Sequence, residues 1–160
     1  MPDRSAVTIR AATRADVPGL SVMLQELVAA GKRTRPADED FVLATYVAHP
    51  DGISCFVAEA GDGQLLGLQA LSLAGAVNPY GTPEGWGIIG THVSPDAARR
   101  GVGKGLFAAT RAAAQAAGLP AIEAYIGAAN AEGLGYYDAM GFRTWRTPEG
   151  VVCKRHDLPA

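Results

Sequence analysis

The sequence predicts an α+β fold: a mixed, mostly antiparallel twisted sheet with one parallel β-α-β crossover and helices on both faces. Two hairpin signals, Gly61-Asp62-Gly63 and Pro148-Glu149-Gly150, each lie between β-prone runs. A strand, a glycine turn, a helix and a further strand follow one another between Trp86 and Ile126. The length of 160 residues, 48% of them hydrophobic, is typical of one domain with a core, and we assign residues 1–160 to it.

The chain begins with a predicted strand and two predicted helices. Val7 to Arg10 is β-prone. Asp16 has the position of a helix N-cap, and helical spacing of apolar residues follows it as far as Ala30. Acidic residues begin a second helix, near Asp38 to Ala48, and His49-Pro50 ends it.

Three β-prone runs make up the central part of the chain. They are Ile53 to Ala60, Leu65 to Leu73 and Trp86 to Val93. The first two are joined by the hairpin signal at residues 61–63. The third is mostly apolar, which is typical of a central strand that is covered on both faces.

Helices and strands alternate in the last third of the chain. An alanine-rich helix is predicted from Lys104 to Ala117, and Gly118 ends it. The following strand, Ala121 to Ile126, should lie parallel to Trp86 to Val93, because a helix connects the two. The remaining predicted elements are a short helix, Ala131 to Met140, and two strands, Phe142 to Arg146 and Val151 to Arg155.

A glycine-rich turn before the alanine-rich helix is the strongest functional signal. Its six residues are Arg100, Gly101, Val102, Gly103, Lys104 and Gly105. Glycines lack a Cβ atom, so backbone amides can come close to a ligand there. The start of a helix adds unpaired N–H groups and the positive end of the helix dipole. The segment therefore predicts a phosphate-binding site, to which Arg100 and Lys104 add positive charge.

Two common phosphate-binding motifs do not fit this turn. A nucleotide-hydrolysing P-loop needs Ser or Thr after its lysine, whereas Gly105 follows Lys104. A dinucleotide-binding fold needs G-x-G-x-x-G, whereas this chain has G-x-G-x-G. Glu123 does lie about 20 residues further on, where that fold places a ribose-binding acid. That fold also needs several β-α-β units, and only one is visible.

Several motifs in a fixed order give a more specific match. Arg100, Gly103 and Gly105 fit the pattern Arg or Gln, two residues, Gly, one residue, then Gly or Ala. The accompanying motifs are Val93-Ser94-Pro95 before this pattern, and Asn130 and Tyr136-Tyr137-Asp138-Ala139-Met140-Gly141-Phe142 after it. With these motifs the chain resembles the GCN5-related N-acetyltransferase (GNAT) superfamily, and the resemblance covers nearly its whole length.

The resemblance implies acetyl-CoA as the acyl donor and a primary amine of a small molecule or peptide as the acceptor. Amides of residues 101–105 would bind the pyrophosphate, and Asn130 would be a further contact with CoA. The backbone around Val93 would hold the pantetheine arm and polarise the acetyl carbonyl. Tyr137, the tyrosine of the Y-x-x-x-G-F motif, would protonate the departing thiolate, because an ordinary pKa of about 10 keeps it protonated. The amine would then attack directly, without an enzyme nucleophile.

The residue that deprotonates the amine stays open. Many relatives carry a carboxylate or histidine on the strand before the glycine turn, and here His92 is the only titrating side chain on that strand. Glu84, just before the strand, and ordered water are the other candidates. Asp38 to Asp40 and the loop Asn78 to Gly85 would suit the wall of a pocket for a cationic acceptor, although a solvated helix start explains Asp38 to Asp40 equally well.

The missing strand carboxylate leaves a second function open. The chain would then be a non-catalytic CoA-binding sensor or regulatory module of the same fold. Tyr137 and Asn130 favour the enzyme, because a sensor has less need of a proton donor.

Composition and charge limit the possible partners. The net charge of −2 provides no basic excess for a nucleic-acid backbone, so no nucleic-acid partner is expected. No apolar stretch is long enough for a signal peptide or a membrane span, so we expect a cytoplasmic protein without a membrane partner. Cys55 and Cys153 show no metal-ligand spacing, so no metal is expected. The resemblance leaves a homodimer open.

Overall fold

A computed structural model describes residues 6–97 and 100–159 of the chain. The strands in these ranges are β1 (Val7–Ala11), β2 (Gly52–Ala60), β3 (Leu65–Leu73), β4 (Gly87–Val93), β5 (Ala121–Gly127), β6 (Arg143–Arg146) and β7 (Val151–Asp157). The helices are α1 (Val17–Ala29), α2 (Glu39–Val42), α3 (Val102–Ala116) and α4 (Ala131–Ala139). A π-helical turn, Leu43–Val47, continues α2.

The strands form one sheet in the order β1-β2-β3-β4-β5-β7-β6. Neighbouring strands are antiparallel except β4 and β5, which are parallel and are connected through α3. This arrangement confirms the predicted mixed sheet with one parallel crossover. None of the helices in the described part of the chain is long and apolar enough to cross a bilayer.

β4 and β5 diverge along their length. They pair only where Gly87 to Ile89 of β4 lie opposite Ile122 to Ala124 of β5. β4 itself continues to Val93 and pairs with β3 over its whole length. Beyond Ile89, the other edge of β4 therefore has no strand neighbour within the described ranges. Its backbone groups there can bind something other than a strand.

Helices cover both faces of the sheet, as predicted. On one face, Leu20 of α1 and Val42 of α2 pack with Leu68 of β3 in a buried cluster. On the opposite face, Phe107 of α3 packs with Ile122 of β5 in a second buried cluster that also includes α4. The two faces differ because successive side chains of a strand point to opposite sides. A site at the end of β4 can therefore be lined from both layers.

Two helices differ in detail from the prediction. α3 begins at Val102 rather than Lys104, because Gly101 is its N-cap with a φ of 72°. That left-handed conformation favours glycine, so the glycine turn and the helix start overlap. The predicted helix from Asp38 to Ala48 is a single α-turn that widens into the π-helical turn.

Candidate active site

A cleft of about 1250 Å³ opens where β4 and β5 diverge. Its walls come from the segment after α1, the π-helical turn, β3, β4, β5, the first turn of α3 and both halves of α4. Residues that represent these walls are Arg33, Tyr46, Thr91, Gly103, Tyr125 and Asn130. A second cavity of about 490 Å³ lies beside Arg10 and Asp16, away from the glycine turn. The larger cleft is therefore the candidate site.

The start of α3 forms one end of the cleft. Gly105 donates its backbone N–H to the carbonyl of Gly101 at 3.0 Å, as in a regular helix. The amides of residues 101–104 have no carbonyl acceptor among the described residues, as expected for a helix N-terminus. Lys104 is exposed and lines the same end. This end of the cleft can therefore bind an anion.

Two glycines of the turn also have a packing role. A Cβ atom on Gly103 would lie 2.6 Å from Cε1 of Tyr136, and one on Gly105 would lie 3.0 Å from Cγ1 of Ile9. Gly101, by contrast, has open space around its Cβ position and needs its glycine for the positive φ. The three glycines therefore serve the backbone and the neighbouring side chains as well as any ligand.

Most of the predicted site residues meet at this cleft. Seven of the nine line it: Val93, Gly101, Val102, Gly103, Lys104, Asn130 and Tyr137. Arg100 and Gly105 are not among its described lining residues. Asn130 is also the N-cap of α4, where its Oδ1 accepts the backbone N–H of Gly133 at 3.0 Å. A capping role and a place at the ligand site are thus compatible.

A chain of hydrogen bonds links Tyr137 to the start of α3. The buried hydroxyl of Tyr137 lies 2.8 Å from Oγ1 of Thr91. The side-chain amide of Gln69 donates to Oγ1 of Thr91 and to the hydroxyl of Tyr136, both at 2.9 Å. Tyr136 in turn donates to the carbonyl of Gly103 at 2.6 Å. Tyr137 on α4 is therefore connected to β3, β4 and α3.

The two tyrosines in this hydrogen-bonded network, Tyr136 and Tyr137, are protonated at neutral pH. Burial raises the pKa of Tyr137 above the ordinary tyrosine value. Burial also raises the pKa of Tyr136 to about 12, although the hydrogen bond from Gln69 acts in the opposite direction. Tyr136 gives its proton to Gly103, whereas either partner can donate in the contact between Tyr137 and Thr91. Tyr137 is therefore the one of the two tyrosines whose proton is not held by a backbone carbonyl, and its raised pKa makes it a weaker acid than a tyrosine in water.

Sequence analysis missed Gln69 and Thr91. The two residues lie opposite each other in the pairing of β3 with β4, and Gln69 is fully buried. The signal that could have found Gln69 is its position in the middle of an apolar run, because a buried amide needs hydrogen-bond partners. No comparable signal marks Thr91, since threonine is common in strands.

His92 lies on the opposite face of β4 from Thr91. Its Nδ1 is 3.4 Å from Nη1 of Arg33, and its ring packs against Tyr46 with the centroids 5.2 Å apart. Burial, together with the positive charges of Arg33 and Arg35, lowers the pKa of His92 to about 3. His92 is therefore neutral at neutral pH, and a group with so low a pKa is a weak base.

The acidic groups considered as pocket walls lie elsewhere. Glu84 is exposed and is not among the described residues that line the cleft. The same holds for Asp38 to Asp40, of which Asp38 caps α2 by accepting the N–H of Phe41 at 3.1 Å. A helix start in solvent therefore explains these acids. An acidic pocket for a cationic acceptor is not supported.

Glu123 is fully buried in β5 and is not part of the cleft lining. Its carboxylate accepts hydrogen bonds from Thr82 Oγ1 at 2.7 Å, Trp145 Nε1 at 2.9 Å, and Arg146 Nε and Nη2 at 2.9 and 2.6 Å. A carboxylate with four donors has no capacity left for a ribose hydroxyl. Its role is to hold the loop before β4 against β5 and β6. Among the described residues, no group of three or more His, Cys, Asp or Glu could hold a metal ion.

Comparisons with known proteins bear on this geometry. A family model described as the acetyltransferase (GNAT) family matches residues 21–142. Among solved structures, a GCN5-related N-acetyltransferase from Kribbella flavida is 21% identical, with a TM-score of 0.76 over 96% of this chain and 98% of that chain. The yncA protein of Salmonella typhimurium, solved with its cofactor acetyl-CoA, is 20% identical, with a TM-score of 0.74 over 96% and 95%.

A third structure, the paia N-acetyltransferase of Thermoplasma acidophilum in complex with coenzyme A, is 16% identical, with a TM-score of 0.73 over 96% of this chain and 99% of that chain. No protein of curated function matches the sequence. At these identities the structural neighbours establish the fold alone. The family model, however, spans most of the chain, including the glycine turn and Tyr137. The chain therefore belongs to the acetyltransferase (GNAT) family.

Proposed function

We propose that this protein is a cytoplasmic N-acetyltransferase that transfers the acetyl group of acetyl-CoA to a primary amine of a small molecule or peptide. The observation that carries the proposal is the presence, in one cleft, of the amides at the start of α3 and the hydroxyl of Tyr137. The first group can bind a diphosphate, and the second can protonate a thiolate.

The residues at the cleft suit the parts of CoA. The amides of residues 101–104 and the side chain of Lys104 would bind the diphosphate. On the side that faces β5, β4 has no strand neighbour beyond Ile89 within the described ranges, so its backbone can bind the pantetheine amides there as a further strand would. Asn130 would contact the same arm from the start of α4. The acetyl carbonyl would then lie against the backbone around Val93.

The proposed reaction is a direct attack on the thioester. The neutral amine nitrogen forms a bond to the acetyl carbon, the carbon–sulfur bond breaks, and CoA leaves as a thiolate. The backbone around Val93 would stabilise the oxyanion that forms between these steps. The attacking nitrogen is positively charged once its bond has formed, and it loses one proton to water to give the amide. Tyr137 would donate its proton to the thiolate and later recover one from water. Thr91 supports this role, because its hydroxyl can donate to the phenol oxygen while the phenol proton faces the cleft.

The amine must arrive without its extra proton. His92 is poorly suited to remove it, because its pKa is about 3 and its Nδ1 faces Arg33. The positive charges of Arg33 and Arg35 favour the neutral form of a nearby amine and so lower the amine pKa. We therefore propose water as the acceptor of this proton.

One observation favours the alternative, a non-catalytic CoA-binding sensor. Glu132 is the only carboxylate among the described residues that line the cleft, and it pairs with Lys32 at 3.0 Å. A sensor would need no base. It would also have no need for the hydrogen bonds that hold Tyr137, and we therefore favour the enzyme.

Thiol release from acetyl-CoA, measured with a panel of primary amines, distinguishes the two functions. An enzyme releases CoA at a rate that depends on the amine, whereas a sensor binds CoA without amine-dependent release. In the enzyme, Tyr137→Phe should lower kcat about 100-fold or more with little change in the KM for acetyl-CoA, because only the proton donor is lost. Tyr125→Phe, at another tyrosine of the cleft, is the control and should leave kcat nearly unchanged. Unchanged turnover in Tyr137→Phe would exclude the proposed proton transfer.

A further inference from the structure

Arg33 is a buried cation in the wall of the cleft. Only 7% of the residue is exposed. Its Nη2 donates to the carbonyl of Pro36 at 2.7 Å and to the hydroxyl of Tyr46 at 3.1 Å, and its Nη1 lies 3.4 Å from Nδ1 of His92. Its Nε is buried without a hydrogen-bond partner among the described residues. No carboxylate in the described part of the chain forms an ion pair with Arg33.

A guanidinium in this position is costly unless an anion joins it. Arginine stays charged at any pH at which the protein is folded. A buried charge without a counter-charge is unfavourable, and the buried charges of folded proteins are almost always paired. The rings of Phe41 and Tyr46, whose centroids each lie 5.7 Å from Cζ of Arg33, offset part of this cost. They hold the side chain in place without neutralising it.

The same wall of the cleft carries a second arginine without an ion pair among the described residues. Arg35 lines the cleft, and its Cζ lies 5.2 Å from the ring centroid of Phe41, with no ion pair among the described residues. Both arginines lower the pKa of His92, so their charges act on β4. Glu132, the only described carboxylate of the lining, is already paired with Lys32. The positive charge beside His92 therefore has no counterpart within the described cleft.

We infer that Arg33, assisted by Arg35, binds a carboxylate of the acceptor, so that the acceptors are amines that carry a carboxylate: amino acids and their close analogues. The inference rests on the proposed function, because it names the acceptor of that reaction. A carboxylate suits this position, since a guanidinium donates charge-assisted hydrogen bonds to both carboxylate oxygens. Nη2 already donates to Pro36 and Tyr46, so the carboxylate would accept the second N–H of Nη1, the one not directed at His92, and a further hydrogen bond from Arg35.

The contact of Arg33 with His92, near the end of β4, favours an α-amino acid as the acceptor. Arg33 contacts His92, and His92 is the neighbour of Val93, around which the acetyl carbonyl is proposed to lie. In an α-amino acid a single carbon atom separates the carboxylate from the amine. A carboxylate held at Arg33 would therefore keep the amine close to the adjacent residue of the strand. A diamine of similar length would bring a further positive charge to Arg33 and Arg35, which is unfavourable.

The test compares amino acids with the amines that remain when the carboxylate is removed. The pairs are phenylalanine and phenethylamine, leucine and isoamylamine, lysine and cadaverine, and tryptophan and tryptamine. Binding is measured as thermal stabilisation of the protein saturated with CoA, which does not depend on turnover. Acetyl transfer is measured as thiol release from acetyl-CoA. At least one amino acid should stabilise the protein and exceed its paired amine in kcat/KM by about tenfold or more.

Variants of the arginines assign this preference to the proposed contact. Arg33→Gln should raise the KM for the amino acid about tenfold or more and leave the KM for acetyl-CoA unchanged. Arg14→Gln, at an exposed arginine outside the cleft lining, is the matched control and should change neither. If Arg33→Gln does not fold, Arg35→Gln is the substitute, because Arg35 is exposed. It should raise the KM for the amino acid by a smaller factor and leave the KM for acetyl-CoA unchanged.

The outcomes separate this inference from the proposed function. Equal responses to both members of every pair, or no response to any amino acid, would overturn the carboxylate site. An unchanged preference in both arginine variants would also overturn it. Transfer to amines without a carboxylate would leave the acetyltransferase intact. Failure of the unaltered protein to bind acetyl-CoA would overturn the proposed function itself.

Discussion

At the scale of single residues, a hydrogen bond donated by Thr91 would leave the proton of Tyr137 free to point into the cleft. Oγ1 of Thr91 accepts an N–H from Gln69, so its own hydrogen can reach the phenol oxygen 2.8 Å away. Thr91→Val keeps the shape of the side chain and removes this donor. We expect kcat to fall about fivefold with little change in the KM for acetyl-CoA, since one hydrogen bond contributes about 1 kcal/mol. Steady-state kinetics would measure both constants.

Thr91→Ser is the control for this prediction, because it keeps the hydroxyl and should recover most of kcat. Thr91→Val also deprives the buried amide of Gln69 of an acceptor, which costs about 1–3 kcal/mol in the free energy of unfolding. Denaturant unfolding of both variants would separate this loss from the kinetic effect. If Thr91→Val turned over as fast as the unaltered protein, Thr91 would have no part in orienting Tyr137.

Sequence separation explains which site residues could be predicted. Tyr137 and Asn130 belong to one local motif, and the structure places both at the cleft. Gln69 contacts Thr91 across 22 residues of the chain, and Arg33 contacts His92 across 59. No local pattern marks such pairs, because they form only when strands and loops assemble. The sequence therefore predicts the residues proposed to bind acetyl-CoA better than those proposed to bind the amine.

At the scale of secondary-structure elements, the glycines of α3 and α4 should respond oppositely to alanine. A Cβ atom on Gly103 would lie 2.6 Å from the ring of Tyr136. Moving the ring away would disturb the hydrogen bond that the Tyr136 hydroxyl donates to the carbonyl of Gly103. We expect Gly103→Ala to lower the free energy of unfolding by about 1–3 kcal/mol, as overpacking does. Binding of CoA should weaken as well, because the start of α3 would shift.

Gly135 is the matched control, because it lies inside α4 with open space at its Cβ position. Gly135→Ala should raise the free energy of unfolding by about 0.5–1 kcal/mol, since alanine loses less conformational entropy in a helix. Denaturant unfolding of the two variants would measure both signs. Equal effects of the two substitutions would contradict the packing role of Gly103.

Local signals also explain which elements could be predicted. β3 has the predicted bounds, and β2 begins one residue before its prediction, because alternation and a hairpin turn are properties of neighbouring residues. The divergence of β4 from β5 depends on pairing between strands that α3 separates. No spacing in either strand predicts it. The glycine turn was therefore predictable, whereas the cleft beside it was not.

At the scale of the whole molecule, Glu123 joins the loop before β4 to the far edge of the sheet. Its buried carboxylate pairs with Arg146, which also donates to the carbonyl of Tyr80 in that loop. Glu123→Gln would leave the guanidinium without its counter-charge. We expect the free energy of unfolding to fall by about 3 kcal/mol, as when one partner of a buried ion pair is removed. Urea denaturation would measure this change.

The control for Glu123 is an ion pair on the surface. Asp157 pairs with Arg143 and Arg155 where both partners are accessible to solvent. Asp157→Asn should therefore lower the free energy of unfolding by less than about 1 kcal/mol. A loss in Glu123→Gln no larger than in Asp157→Asn would show that the buried pair does not stabilise the fold.

The low pKa of His92 should make the whole fold sensitive to mild acid. An ordinary histidine binds a proton below pH 6.5, whereas His92 in the folded protein does so only near pH 3. Between these values the unfolded chain holds more protons, so the free energy of unfolding falls as the pH falls, by at most about 1.4 kcal/mol per pH unit from this residue. Denaturant unfolding between pH 7 and pH 5 would measure the slope. The pKa is low because His92 is buried and because a proton there would add a further positive charge beside Arg33 and Arg35. His92→Gln removes the titrating group and should therefore flatten the dependence of the free energy of unfolding on pH. An unchanged slope in His92→Gln would show that His92 is protonated as readily in the folded protein as in the unfolded chain.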